Sequence, residues 1–325
     1  DPATPEIYTS RLSSAASDVY KRQALISTTF CWLCLTLSPV AAQNQQVASI
    51  AVSAKAASQS SAPWVQLDKG KLNLRSSSVL VIDDQGNEVY AKDKDQPRSI
   101  ASITKLMTAM VILDSKLPLD TRITITRDDR DLLRKTGSRL KYGARLTRRE
   151  LLLLALMSSE NRAAHALART YPGGEAAFVE QMNHKASELG MKSSRFKDPT
   201  GLAAGNVSTA RDLAKMVHAA STYPLIRKST TLKQHRVRPY KSRGELSYRN
   251  TNRLLKNENW DINLSKTGYI NEAGRCLVMQ ATIASQPLTI VLLDSFGKLT
   301  PFGDSNRIRK WIESGLDSTD RVASL

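Results

Sequence analysis

The sequence predicts an α+β fold, and three observations carry that prediction. Apolar residues recur at helical spacing through the middle of the chain, β-branched runs of strand length stand toward both ends, and the last three such runs are joined by very short connections. Short connections between successive strands require antiparallel pairing. Strands at both ends with helices between them describe one sheet in which the N- and C-terminal strands meet, with a helical region inserted. At 325 residues the chain suits one large or two small domains with an ample core.

The first methionine is Met107, and residues 1–23 are read as an extraneous or unprocessed N-terminus that carries no weight in the fold. After Lys21-Arg22 comes an apolar run, 24–37, too short to span a bilayer comfortably, and then Ser38-Pro39-Val40-Ala41-Ala42. A basic flank, a short apolar stretch and a small-residue end predict a secretory signal peptide over 24–42, cleaved after Ala42. Read as an uncleaved anchor, the same segment still exports the body. Residues 43–63, rich in Ala, Ser and Gln, predict a flexible leader, and the folded domain is expected over 64–325. Cys31 and Cys34 fall in the signal. Cys276 is then alone in the mature chain, with no disulfide partner, in an apolar run that marks it as core.

Val79 to Asp83 and Glu88 to Ala91 flank the turn cluster Asp84-Gln85-Gly86-Asn87 and predict a β-hairpin. Ile103, Leu106, Met107, Met110 and Val111 then mark a helix with one buried stripe. Ile123-Thr124-Ile125 alternates like a short strand. Thr147 with Glu150 forms a capping box ahead of Leu151 to Met157, a helix apolar on most of its circumference and so expected in the core. Helices follow over 161–169, 176–189 and 209–220, the last two separated by the turn Asp198-Pro199-Thr200-Gly201-Leu202. Strands over 264–270, 275–283 and 288–294 form the closing meander, and Ile308, Trp311 and Ile312 give a final helix.

Chemistry enters at Ser102 and Lys105. Three residues apart on one helical face, they bring a hydroxyl and an amine within reach of each other. A serine hydroxyl is a poor nucleophile until a neighbour takes its proton, and a lysine takes it only if burial or a second cation disfavours the ammonium. Ser159, just after the buried helix, can aim a second hydroxyl at this pair and relay a proton to a leaving amine. Lys266 falls on a strand expected at the sheet edge, where an extended peptide can add by backbone pairing, and Gly268 keeps that edge open to it. Lys266 also supplies the second cation that would hold down the basicity of Lys105. A further Lys135-Thr136-Gly137 repeats the wording of Lys266-Thr267-Gly268, but it lies in a polar stretch with no strand after it and reads as an ordinary loop.

Taken in order, Ser102-Ile103-Thr104-Lys105, Ser159-Glu160-Asn161 and Lys266-Thr267-Gly268 resemble the motif set of penicillin-binding proteins and serine β-lactamases. The likeness extends from about Leu74 to Leu316 and carries, among others, Leu146-Thr147-Arg148-Arg149-Glu150, Tyr171-Pro172-Gly173-Gly174, Asn206 to Leu213 and Cys276-Leu277-Val278-Met279. It resembles the penicillin-binding protein 7 type of D-alanyl-D-alanine endopeptidase among the low-molecular-mass serine DD-peptidases. The resemblance implies a serine β-lactamase/DD-peptidase fold, an antiparallel sheet flanked by helices with a mostly helical second lobe, as a catalytic domain over 64–325. It also implies Ser102 as the acylated residue, Lys105 as proton acceptor and Ser159 as the third member. Asn161 would contact the substrate backbone, Lys266, Thr267 and Gly268 the carboxylate end, and the backbone N–H groups of Ser102 and Tyr269 the oxyanion. The expected substrate is cross-linked peptidoglycan in the periplasm, cleaved at its peptide bridges, with β-lactam antibiotics as inhibitors.

Other functions are disfavoured on residue grounds. No metal or cofactor is expected, since His165, His184, His218 and His235 have no His or Cys partner at ligand spacing. The net charge of +17 is spread along the chain behind an export signal, so a polyanionic cell envelope fits it better than nucleic acid. A β-lactamase would need a downstream glutamate to deacylate, and residues 191–206 contain none. A non-catalytic murein-binding module would not need the complete Ser102, Lys105 and Ser159 set. A D-alanyl-D-alanine carboxypeptidase is the nearest alternative, but such enzymes often end in an amphipathic anchor. Here the sequence runs only to Leu325, soon after the Trp311 helix, which favours an endopeptidase, and no transmembrane segment is expected in the mature chain. Arg162, with Arg139, Lys141 and Arg145, offers cations for the extra carboxylates of a cross-linked leaving strand.

Overall fold

Near-continuous apolar runs, buried on both faces, build a five-stranded sheet in the computed structural model, which describes residues 63–242 and 244–323. Residues 1–62, and with them the expected signal peptide and nearly all of the leader, lie outside the described residues. The strands are β1 (Ser76–Asp83), β2 (Glu88–Lys92), β3 (Asp261–Ile270), β4 (Gly274–Ile283) and β5 (Gln286–Ser295). Their order is β2-β1-β5-β4-β3, antiparallel at every step. β1 pairs with β5, Val81 opposite Ile290, so the two ends of the chain meet in one sheet as the pattern required. β3 is left at the edge.

Seven helices complete the frame: α1 (Lys105–Asp114), α2 (Arg148–Met157), α3 (Asn161–Arg169), α4 (Gly174–Glu188), α5 (Ala210–Ser221), α6 (Pro224–Thr231) and α7 (Thr300–Ala323). The period-2 pleat sorts the strand residues between two cores. Val79, Val81, Leu277, Met279, Ile290 and Leu292 join Trp64, Ile308 and Ile312 on the α7 side. Leu80, Val278, Val291 and Leu293 join α1, α2, α3 and α5 on the other. Cys276 is a buried member of that second core, and burial pushes its thiol up to about 12, which leaves it protonated and inert.

α6 and a hairpin formed by Gln234–Val237 and Leu246–Arg249 are absent from the expectations. α6 opens with Pro224 and buries only Ile226, Ser229 and Thr230, so it shows no apolar repeat. In the hairpin only Val237 and Tyr248 are buried, and a strand with one apolar inward residue gives no alternation to read. The short strand expected at 123–125 is Arg122–Thr124, paired with Arg145–Thr147, and Thr147 caps α2 through the capping box as predicted. No helix among the described residues is long and apolar enough to cross a membrane.

Candidate active site

The segment expected to be a single helix around Ser102 starts with a tighter turn. Residues Ala101–Thr104 form a 3-10 turn, closed by the Thr104 hydroxyl donating to the Ala101 carbonyl at 2.7 Å, and α1 begins only at Lys105. Ala101 is forced to φ +46°, and Ser159, beyond α2, to φ +60°. Left-handed backbone at a non-glycine residue costs on the order of 1 kcal/mol and persists only where the surroundings dictate it. Two glycines supply those surroundings at Ala101. A Cβ at Gly201, itself at φ +82°, would sit 1.9 Å from the Ala101 carbonyl oxygen, and one at Gly268 would sit 3.1 Å from the Ser102 nitrogen. The absent side chain of Gly268 therefore lets β3 close onto the Ser102 turn. Its expected purpose, a clear path for substrate backbone, is not what the packing shows.

Lys105 is buried, and its Nζ lies 2.8 Å from Ser102 Oγ, 2.8 Å from Asn161 Oδ1 and 2.6 Å from the Thr200 carbonyl oxygen. Burial lowers its pKa to about 7, against the upward pull of Asp198 and Glu160, neither of which it bonds. A neutral lysine amine has two N–H bonds and one lone pair. Asn161 Oδ1 and the Thr200 carbonyl can only accept, so they take both N–H bonds, and the lone pair is left for the Ser102 hydroxyl. That arrangement can pull a proton from Ser102.

Lys266, on the exposed edge of the sheet but itself buried, donates to Ser159 Oγ at 2.9 Å and to the Thr267 carbonyl at 2.8 Å. Burial first, and the charge of Lys105 second, lower it well below the ordinary lysine value. Burial is the leading cause at both lysines, and the two buried cations also repel each other. The hydrogen bond of Ser159 likewise runs to Lys266, so its link to Lys105 passes through the cleft and not through a direct bond. Thr267 donates its hydroxyl to Thr251 at 2.7 Å.

All of the expected site residues except buried Lys105 and Lys266 line one cleft of about 740 Å³: Ser102, Ser159, Asn161, Thr267, Gly268 and Tyr269. Arg134, Arg253, Arg275 and Lys298 line it too, and no acidic side chain does among the described residues. The Arg275 guanidinium stacks on the Tyr269 ring at 3.6 Å. Arg162, Arg139, Lys141 and Arg145 do not line it. Arg162 instead donates to the Leu140 carbonyl at 2.7 Å and lies over the Tyr142 ring, while Arg139 covers the Tyr248 ring at 3.7 Å.

Sequence reasoning missed the loop that holds Lys105 from behind. Asp198 Oδ1 accepts from the N–H groups of Thr200 and Gly201 at 2.6 and 2.7 Å, and Oδ2 from Ala203 at 2.7 Å, which turns the Thr200 carbonyl onto Lys105. The Asp-Pro-Thr-Gly wording announces such a turn, but nothing in it says what its carbonyl faces. Thr251 gave no signal at all. His165, which has no metal-ligand partner in the sequence, bridges Asp129 Oδ1 and Glu175 Oε2, each at 3.0 Å.

An antiparallel sheet with a helical lobe, and between them a serine in contact with a buried lysine whose pKa is lowered to about 7, define a serine acyl-transfer enzyme. Comparison with known proteins agrees. The family described as D-alanyl-D-alanine carboxypeptidase matches residues 64–297. A D-alanyl-D-alanine endopeptidase of Pseudomonas aeruginosa is 51% identical over 243 residues, 74% of this chain and 78% of that protein. Its Escherichia coli namesake is 46% identical over the same shares. The crystal structure of a Streptomyces DD-transpeptidase superposes with a TM-score of 0.69 at 28% identity, covering 74% of this chain and 98% of that one. The chain belongs to this D-alanyl-D-alanine carboxypeptidase family and is a serine-type D-Ala-D-Ala peptidase.

Proposed function

We propose that the chain is a periplasmic D-alanyl-D-alanine endopeptidase that opens peptidoglycan cross-links through an acyl-enzyme on Ser102. The observation that carries the reading is Lys105 Nζ set 2.8 Å from Ser102 Oγ, with its other two contacts made to oxygens that can only accept. Lys105 takes the proton as Ser102 Oγ bonds to the D-alanine carbonyl carbon. The backbone N–H groups of Ser102 and Tyr269 receive the oxyanion, which forms beside the point where β3 closes on the Ser102 turn. When the C–N bond breaks, Ser159, oriented by Lys266, passes a proton to the leaving amine. Water then attacks the ester carbonyl, giving a proton to Lys105, which returns it to Ser102 Oγ as the ester C–O bond breaks and the acid is released. Asn161 and Thr267 hold the substrate from the two sides of the cleft. A β-lactam enters the same path, and with no carboxylate among the described residues lining the cleft to activate water, its acyl-enzyme persists.

Bond preference is argued from the cleft's charge. A cross-link joins D-alanine to the side-chain amine of a diamino acid, so the released strand bears more carboxylates than the single D-alanine released by a carboxypeptidase. Arg253, Arg275 and Lys298 line the cleft with no ion pair among the described residues, where Arg134 is already joined to Glu272. They suit such a strand. Export follows from the signal-like segment over 24–42. Equal enzyme on a cross-linked muropeptide dimer and on an uncross-linked pentapeptide, with products separated by chromatography, decides the matter. The dimer should be consumed faster; dominant trimming of the pentapeptide would mean a carboxypeptidase.

A further inference from the structure

The second Lys-Thr-Gly, read from sequence as an ordinary loop, reaches the active site. Asp131 Oδ2 accepts from the N–H of Thr136 at 2.8 Å and from its hydroxyl at 2.7 Å. Asp131 Oδ1 accepts from the N–H groups of Leu133 and Arg134 at 3.0 and 2.9 Å. Burial pushes the Asp131 carboxyl up, but these bonds outweigh it and hold it below the ordinary carboxylate range, so it has no proton to donate. The Thr136 hydroxyl must therefore point its proton at Asp131, and its oxygen is left to accept. What it accepts is Asn161 Nδ2, at 3.1 Å.

That contact fixes which way the Asn161 amide faces. With Nδ2 on Thr136, Oδ1 falls on Lys105 Nζ at 2.8 Å. Reversed, the amide would present Nδ2 to the lysine, donate into its lone pair and take from Ser102 the one acceptor that can receive its proton. We propose that Thr136, held by Asp131, is a positioning residue for catalysis: it sets the Asn161 amide so that the Lys105 lone pair stays on Ser102. The chain Asp131–Thr136–Asn161–Lys105–Ser102 is continuous in hydrogen bonds from a surface loop to the reacting oxygen. The proposal rests on the reading of Lys105 as the base.

The test is the rate of acylation by a fluorescent penicillin as a function of pH, measured on the full chain alongside its melting temperature. In Thr136→Val, which keeps the shape and removes the hydroxyl, the plateau rate should fall about tenfold, the size expected for one lost hydrogen bond in a polar network. Its acidic limb should move to lower pH, because Asn161 Oδ1 no longer favours the Lys105 ammonium. Thr136→Ser, with the hydroxyl restored, should come within about threefold of the parent, by the same arithmetic. Asp131→Asn, whose amide can reverse the Thr136 hydrogen bond, should fall in the same direction by less, and it carries the test if Thr136→Val melts early. A Thr136→Val protein with the parent's rate and limb overturns the proposal, and so does a Thr136→Ser protein as impaired as Thr136→Val, which would make the loop's shape the agent. Full acylation of Lys105→Ala overturns the reading of the base, and the proposal with it.

Discussion

One face of α3 serves two buried clusters of ionisable groups that titrate in opposite directions. Asn161, His165 and Arg169 follow each other at four-residue spacing, on the same side of the helix. Asn161 touches Lys105, which with Lys266 forms a pair of buried cations bonded to neutral oxygens only. His165 and Arg169 close on Asp129, with Arg169 Nε and His165 Nδ1 at 2.9 and 3.0 Å from the same carboxylate oxygen, and Glu175 bonds the other nitrogen of His165. Burial disfavours charge in both places. At the lysines nothing in contact opposes it, and Lys105 falls to about 7. At His165 the hydrogen bonds to Asp129 and then Glu175 outweigh burial and raise it to about 9. A carboxylate in contact decides whether a buried cation becomes a base or a strut.

The comparison breaks first at the level of chemistry. Lys105→Ala should lower acylation by a labelled β-lactam by about a thousandfold or more, the range of a lost general base, whereas His165→Gln should leave it within about threefold. The parent's rate should climb as pH rises through about 7, since the lysine works only after losing its proton. Intact-protein mass gives an independent check, because Ser102→Ala should gain no drug. A His165→Gln protein as dead as Lys105→Ala would mean that the two clusters are one machine.

A smaller effect separates them by stability. The folded-state pKa of His165 lies above its ordinary value of 6.5, at about 9, so its contribution is fully present below 6.5 and is lost as pH rises through 9. In chemical denaturation His165→Gln should therefore be less stable than the parent at pH 6, by on the order of 2 kcal/mol after allowing for the ring's partial exposure. The two proteins should converge above about pH 9.5, again from the linkage relation. A difference that does not shrink with pH would point to packing, not charge, as the role of the ring.

Which parts of this were legible follows from what each part depends on. The sheet's apolar, β-branched strands, the capping box at Thr147 and the bounds of α3 are local patterns that the sequence carries, although β3 begins three residues earlier than its apolar run suggests. The motif residues were legible as a set because their chemistry needs those residue types. What was not legible is direction: the Thr200 carbonyl, the Asn161 amide and the side chains lining the cleft are set by contacts from distant segments. Thr136 shows the limit well, since the triplet was noticed and then set aside because no strand follows it. Its role comes through Asp131 and Asn161, which no spacing rule connects to it.

Arg162 gives the smallest effect and the sharpest contrast between spacing and placement. It follows Asn161 in the chain, so by sequence it stood beside the cleft and was an apt partner for a carboxylate of the released strand. On a helix, however, neighbours in sequence point about 100° apart, and where Asn161 faces Lys105, Arg162 faces the loop at 140–142. There its guanidinium donates to the Leu140 carbonyl and covers the Tyr142 ring, a partly exposed contact worth at most about 1 kcal/mol. Arg275, far from any motif in the first half of the chain, is one of the cations that line the cleft, stacked on Tyr269. Arg162→Gln should therefore leave hydrolysis of a cross-linked dimer within about twofold of the parent while lowering stability slightly. Arg275→Gln should lower dimer hydrolysis about three- to tenfold, with little change for an uncross-linked pentapeptide. The paired digestions check both variants, and a dimer-specific loss in Arg162→Gln with none in Arg275→Gln would return the recognition of the released strand to the positions that spacing alone suggested.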